Sequence, residues 1–174
     1  MAVRRLKIAV IAPPWFPVPP TGYGGIESVC AGLVDGLVER GHDVTLIGAG
    51  QDDTDATRFF AATKEPQSDS VGDALTEVRH AVAASQVIGD LEVDVIHDHT
   101  AAGPLVAAGL EIPTVVTAHG PVDGELGDYY GNLSRYYRDL GERISYVSIS
   151  NSQRAGAPDL PWAATVYNGV RVSD

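Results

Sequence analysis

The chain contains one cysteine, Cys30, which excludes an internal disulfide framework and any cysteine-based structural zinc site. It is short of positive charge. Lys and Arg number 12 against 23 Asp and Glu, for a net charge of −11 over 174 residues. A duplex nucleic-acid binder rests on many basic phosphate contacts, and docking on anionic lipid needs a basic surface. The deficit argues against both. No apolar run nears the ~18 residues of a membrane span. Internal repeats and low-complexity segments are also missing. There is no GxSxG elbow, no GxGxxG fingerprint and no GxxxxGK[ST] loop.

What is present is ordinary globular composition, 44% hydrophobic and 20% charged, in a length that suits one domain. Arg4, Arg5 and Lys7 before Ile8–Ala12 imitate the start of a signal peptide. The apolar run is too short, and Pro13-Pro14 closes it without a small-residue cleavage site. We read it as a buried first strand, and the protein as cytoplasmic. A loop with prolines at 13, 14, 17, 19 and 20 and glycines at 22, 24 and 25 follows. Val29, Leu33 and Leu37 then form one i, i+4 row and Cys30, Val34 and Val38 the next, which marks a helix. Arg40 and Gly41 are its stop signals.

The alternation continues along the chain. Val44–Ile47 reads as a strand, Thr57–Ala62 as a short strand, and Val71, Leu75, Val78 and Val82 as the apolar row of a second helix. Val93–Ile96 is a strand, Pro104–Leu110 a short buried helix and Thr114–Thr117 a strand. Tyr130, Leu133, Tyr137 and Leu140 mark a third helix. Ile144–Ile149, a helical turn over Asn151–Ala155 and a last strand at Thr165–Tyr167 complete the pattern. Strands alternating with helices predict an α/β domain, doubly wound around a mostly parallel sheet in the Rossmann-like manner. In such sheets ligands sit beyond the carboxyl ends of the strands.

The residues at those ends carry the chemistry. Gly24 and Gly25 precede a helix N-terminus, where backbone N–H groups and the helix dipole favour an anion such as a phosphate. They also read as glycines serving only a turn. A side chain at Gly25 is expected both to crowd a phosphate and to strain that turn. His97-Asp98-His99 puts two histidines on one face of an extended segment. The pattern reads as a metal pair lacking a third ligand, as a hydrogen-bonding pair for a polyhydroxylated ligand, or as a turn with Asp98 as a cap. His119 follows a strand and precedes Gly120, and Ser148-Ile149-Ser150-Asn151 offers hydroxyls and an amide before a helical turn, or an ordinary N-cap. Asp53-Thr54-Asp55 imitates a DxD metal motif but reads as a solvated loop, and Cys30 as a core residue.

In order and spacing the whole chain resembles the N-terminal domain of GT-B glycosyltransferases of the retaining, GT4-type group. The segments that carry the likeness are Ile8–Trp15, Tyr23-Gly24-Gly25-Ile26-Glu27, Arg40–Val44, Asp94–His99, Thr117–Gly120, Ser148–Ser150 and Tyr167-Asn168-Gly169-Val170. The proline-rich first loop looks most like the branch with antibiotic-tailoring transferases of the avilamycin type. The resemblance implies that Gly24 and Gly25 offer amides to the donor diphosphate. It places His119 over the transferred sugar as the catalytic residue, and His97, Asp98 and His99 on the acceptor side of the cleft. Ser150 and Asn151 are expected deeper in it. The family's second α/β domain, which holds the nucleotide-sugar and carries a Glu-x7-Glu pair, has no counterpart here, since no Glu has another eight residues on. Residues 1–174 are thus expected to be the acceptor-side half of a two-domain enzyme, folded but inactive alone, with self-association through uncovered Trp15 and Phe16.

The full-length protein is expected to move a sugar, with retention, from a nucleotide-sugar donor to a small-molecule or glycan acceptor. No metal or other cofactor is expected. A GT-B-fold nucleotide-sugar epimerase and a free-standing carbohydrate- or nucleotide-binding module remain as alternatives.

Overall fold

The computed structural model describes residues 4–107, 109–140 and 144–169. The side chain of Leu140, together with Ala108 and Val170, lies outside the described residues. In chain order the elements are β1 (Lys7–Ile11), α1 (Gly25–Glu39), β2 (Asp43–Ala49), β3 (Arg58–Thr63), α2 (Ala74–Gly89), β4 (Val95–Asp98), β5 (Thr114–Ala118), α3 (Glu125–Leu140), β6 (Ile144–Ser148), α4 (Asn151–Gly156) and β7 (Trp162–Thr165). The seven strands form one sheet in the order β3-β2-β1-β4-β5-β6-β7, and every pairing is parallel. The expected doubly wound α/β fold is therefore observed. The chain runs outward from β1 through β2 to β3, then returns to place β4 on the other flank of β1. That reversal opens a crevice at the carboxyl ends of β1 and β4.

Alternation along β1 sorts the core into two layers. Val10 and Ala12 join Val44 and Leu46 beneath Cys30, Ala31 and Val34 of α1. Ala9 and Ile11 join Ile47 on the opposite face, under Ala84 and Ile88 of α2. A third cluster packs Val116, Ala118 and Tyr146 against Tyr130, Leu133 and Tyr137 of α3. Cys30 is a core residue, fully buried as expected. Helix α1 stops where its sequence signals, with Gly41 at φ 86° and its N–H on the carbonyl of Val38.

Four expectations need correction. The row Leu75, Val78, Val82 does not face the core: these side chains are 67%, 38% and 42% exposed, and Val71 precedes the helix. The buried face of α2 is His80, Ala81, Ala84 and Ile88. Small alanines let the helix lie close to the sheet, and His80 is neutralised as a buried polar group by contacts with the Ala12 carbonyl at 2.9 Å and Thr63 Oγ1 at 2.8 Å. Within Pro104–Leu110 only a 3-10 turn forms, at Gly103–Leu105, and Leu105 is exposed. Trp15 is only 6% exposed, because the proline-rich loop is held down by Val18 N–H on the Gln51 carbonyl, Asp53 N–H on the Val18 carbonyl and Gln67 N–H on the Pro14 carbonyl. Phe16 is half-buried with its ring edge-on to Tyr23, so the correction concerns Trp15, while Phe16 and the prolines beside it stay partly uncovered as expected. The last strand ends at Thr165, short of the expected Tyr167.

The rotation of α2 is open to direct test. Leu75→Lys and Val82→Lys should each change unfolding free energy by less than about 0.5 kcal/mol, as exposed substitutions do. Ala84→Lys should cost about 3 kcal/mol or more by burying a charge against the sheet. Urea unfolding followed by circular dichroism distinguishes the two sets. The reverse ordering would restore the face expected from the sequence.

Candidate active site

The expected site residues fall at the carboxyl ends of β1, β4, β5 and β6. A cleft of about 980 Å³ is lined by Gly25, Ser28 and Gly32 of α1 and its start, by His97, His99 and Thr117, and by Tyr167, Asn168 and Gly169 at the far end. The parallel register of β4 and β5 builds its floor. His97 pairs with Val115, so Thr117 is the next residue on the same face. His97 Nε2 lies 2.8 Å from Thr117 Oγ1, and one step further out His99 Nδ1 lies 2.8 Å from His119 Nε2. The rings of His97 and His99 stack with centroids 4.4 Å apart, and those of His99 and His119 at 5.1 Å. The three histidines form one continuous array.

Burial dominates their electrostatics. It lowers His97 and His119 to about 4 and His99 well below its ordinary range, so the array is neutral near pH 7. His119 does not line the cleft itself but a smaller recess of about 360 Å³, with Gly120, Asp123, Ser150 and Gln153. Ser150 is the N-cap of α4 and accepts the N–H of Gln153 at 3.0 Å. Asn151 is exposed and is not among the residues lining either space.

Asp98 is set apart from its neighbours. Alternation turns it to the opposite face of the sheet, where it is buried and lines no part of the cleft. One carboxyl oxygen accepts both the N–H and the hydroxyl of Thr100 at 2.8 Å, closing the turn after β4. Burial pushes the Asp98 carboxyl up to about 7. The sequence segment His97-Asp98-His99 thus supplies two residues to the cleft and one to the turn beneath it.

The two glycines also differ. Gly24 is the N-cap of α1 with φ 150°, and a Cβ there would lie 2.6 Å from Cβ of Pro20. Gly25 has open space where a Cβ would be and lines the cleft. The expectation that a side chain at Gly25 strains the turn is therefore corrected: the strain belongs to Gly24. Gly24 supplies no side-chain cap to α1, and in the first turn the Glu27 N–H is taken by the Glu27 carboxyl, so an anion would address the amides that precede it.

Several participants were not singled out by sequence reasoning. Glu27 appears in the Tyr-Gly-Gly-x-Glu segment, but nothing in the spacing shows that it is buried beneath the turn. Its carboxyl accepts the N–H groups of Glu27 and Phe16, while Oε1 has no partner among the described residues. Burial raises it to about 7. Gln153 donates to the carbonyls of Ala118 and Gly120 and accepts the N–H of Ile149, clasping the ends of β5 and β6. Glu77 takes the N–H groups of Ala101 and Ala102. Asp53 of the acidic loop is exposed at the cleft rim with Asp35. Among the described residues no three His, Cys, Asp or Glu side chains are arranged to hold a metal ion. Nor is any helix there long and apolar enough to cross a membrane.

Two stability tests follow from this geometry. Gly24→Ala should cost ~1–3 kcal/mol through its backbone conformation and the Pro20 clash. Gly25→Ala should stay within about 0.5 kcal/mol. A melt of Gly25→Ala as low as that of Gly24→Ala would make both glycines structural. The second test concerns pH. Because the folded-state value of Glu27 is raised, its contribution is intact below about 4.5 and is lost as pH rises through about 7. Glu27→Gln should therefore flatten the decline of stability between pH 5 and pH 8, gaining most at pH 8. An unchanged pH profile would show that Glu27 ionises freely.

Comparison with known proteins places this geometry in context. The solved structure of AviGT4, a glycosyltransferase involved in avilamycin A biosynthesis, matches with a TM-score of 0.63 at 23% identity, covering 95% of this chain and 42% of that one. The uncharacterized glycosyltransferase MJ1607 of Methanocaldococcus jannaschii is 26% identical over 184 residues, covering 95% of this chain and 46% of its own length. The chain thus spans less than half the length of both relatives. The Glycosyltransferase Family 4 model matches residues 23–173, from the Tyr-Gly-Gly turn through the histidine array to the last strand and beyond. The chain belongs to Glycosyltransferase Family 4.

Proposed function

We propose that this chain forms the acceptor-side half of an enzyme that transfers a sugar from a nucleotide-sugar donor to a hydroxyl-bearing acceptor, with retention of configuration. The observation that carries the reading is that the glycine-opened N-terminus of α1 and the His97–His99 end of the histidine array face one cleft, with His119 hydrogen-bonded to His99 beside it. A diphosphate would meet backbone amides and the positive end of a helix dipole there. The neutral imidazole of His97, with Thr117, offers hydrogen-bonding groups suited to sugar hydroxyls, while His99 presents its ring to the cleft and its Nδ1 to His119. His119, which lines the recess and touches the cleft-lining His99, would face the sugar being transferred and hydrogen-bond one of its oxygens.

In this reading Gly25 is the approach point of the phosphate, and Gly24 holds the turn that presents it. Ser150 serves the recess beside His119. Asp98 and Gln153 hold the two loops in place and do not touch substrate. The nucleotide and most of the diphosphate would be held by a second domain, as the length of the relatives suggests. Domain closure would then exclude water from the cleft. Departure of the diphosphate would be stabilised by preorganised dipoles, the kind of electrostatic assistance that needs no reorganisation during reaction.

The experiment uses the protein encoded by the full gene with a panel of nucleotide sugars and candidate acceptors, following nucleoside diphosphate release. His119→Ala should lower kcat by on the order of 10²–10³ with a smaller change in KM. Gly25→Val should weaken donor binding while the fold persists. Acceptor-dependent release that is indifferent to His119→Ala would remove His119 from the chemistry. Formation of an epimer with no acceptor present would replace transfer by epimerisation. The 174-residue chain alone should melt cooperatively and show no turnover, and rates of ~1 s⁻¹ or more from it would overturn the two-domain reading.

A further inference from the structure

The histidines use their nitrogens unequally. His97 Nε2 is met by Thr117 Oγ1, and His119 Nε2 is met by His99 Nδ1. His99 Nε2 is buried with no partner among the described residues. A neutral imidazole has one N–H and one lone pair. The contact between His99 and His119 therefore requires one ring to donate and the other to accept, and this choice fixes all four nitrogens.

If His119 donates from Nε2, His99 must carry its own proton on Nε2, a buried N–H with no acceptor. His119 Nδ1 is then a lone pair. If His99 donates from Nδ1, its Nε2 becomes a lone pair and His119 carries its proton on Nδ1. Buried N–H groups without a partner are rarer than buried acceptors without one. The second arrangement is favoured. Burial keeps both rings neutral near pH 7, so the choice is between tautomers and not between charge states.

The geometry points to His99 as a positioning residue: by donating from Nδ1 to His119 Nε2 it holds His119 in the Nδ1–H tautomer, so that His119 offers a hydrogen-bond donor, not a lone pair, to its ligand. The inference rests on the reading of His119 as the group facing the transferred sugar. It deepens that reading by assigning a polarity. An Nδ1–H can hold a sugar oxygen in place, but it cannot take the proton from an acceptor hydroxyl. His119 is thereby excluded as the general base of the transfer.

The test is long-range ¹H–¹⁵N correlation of the imidazole rings in the uniformly ¹⁵N-labelled 174-residue chain at pH 7. Both His99 and His119 should show protonated Nδ1 and unprotonated Nε2, whereas free histidine prefers the opposite tautomer. A coupling across the hydrogen bond between His99 Nδ1 and His119 Nε2 should be visible. His99→Asn keeps an amide N–H near the lost Nδ1 and should preserve the His119 tautomer. His99→Phe removes the donor and should return His119 to Nε2–H. A wild-type His119 protonated on Nε2 overturns the proposal, as does an unchanged tautomer in a folded His99→Phe. Should the Phe variant not fold, the wild-type spectrum and His99→Asn decide. The readout needs no turnover. A full-length enzyme indifferent to His119→Ala would therefore sink the transfer role alone, while the wrong tautomer would sink only this inference.

Discussion

The site depends on one buried carboxyl that never meets the cleft. Asp98 ends β4, and its oxygen gathers both hydrogen-bonding groups of Thr100 into a tight turn. Thr100 in turn accepts the N–H of Gly103, and a Cβ at Gly103 would fall 1.7 Å from Asp98 Oδ2. A carboxyl away from water is costly unless hydrogen-bonded. The turn supplies those bonds and fixes which face of the strand Asp98 takes. Period-two alternation then sends His97 and His99 together to the other side. Glu77 and Tyr129 extend the same fixation, the first by accepting the N–H groups of Ala101 and Ala102, the second by donating to the Ala101 carbonyl.

Much of the fold was legible in the residues. The continuous apolar runs marked the central strands, because parallel strands covered on both faces have no polar side to show. The stop signals of α1 worked because Arg40-Gly41 has a single stereochemical reading. Helix α2 did not, since the larger side chains Leu75, Val78 and Val82 outweigh Ala81 and Ala84 in any pattern of hydrophobicity. Packing distance, not hydrophobicity, decided the face: the alanines admit the sheet. A histidine at the core, His80, cannot be inferred from spacing, because its neutrality depends on partners at Ala12 and Thr63, far away in sequence.

The candidate site was legible residue by residue but not as an array. The strand-end rule picked out His97, His99 and His119. Their contacts depend on the register of β4 against β5, which no local pattern encodes. The same holds for Glu27, whose burial is produced by the loop folded over it, and for Gln153, whose partners belong to two strand ends. The distinction between Gly24 and Gly25 is likewise three-dimensional, since adjacent glycines look alike until one of them faces Pro20.

The charge of the cleft wall has a consequence for encounter. Among the described residues its lining includes Asp35 and Asp53 but no lysine or arginine, and the chain as a whole carries −11. An anionic ligand approaching this wall meets repulsion at long range and attraction only within the first turn of α1, where the helix dipole acts. Added salt screens the first over a Debye length of about 10 Å at 0.1 M and leaves the contact attraction much less affected. Ionic strength would therefore speed association with this half of the cleft, opposite to the behaviour of an anion site built from basic side chains.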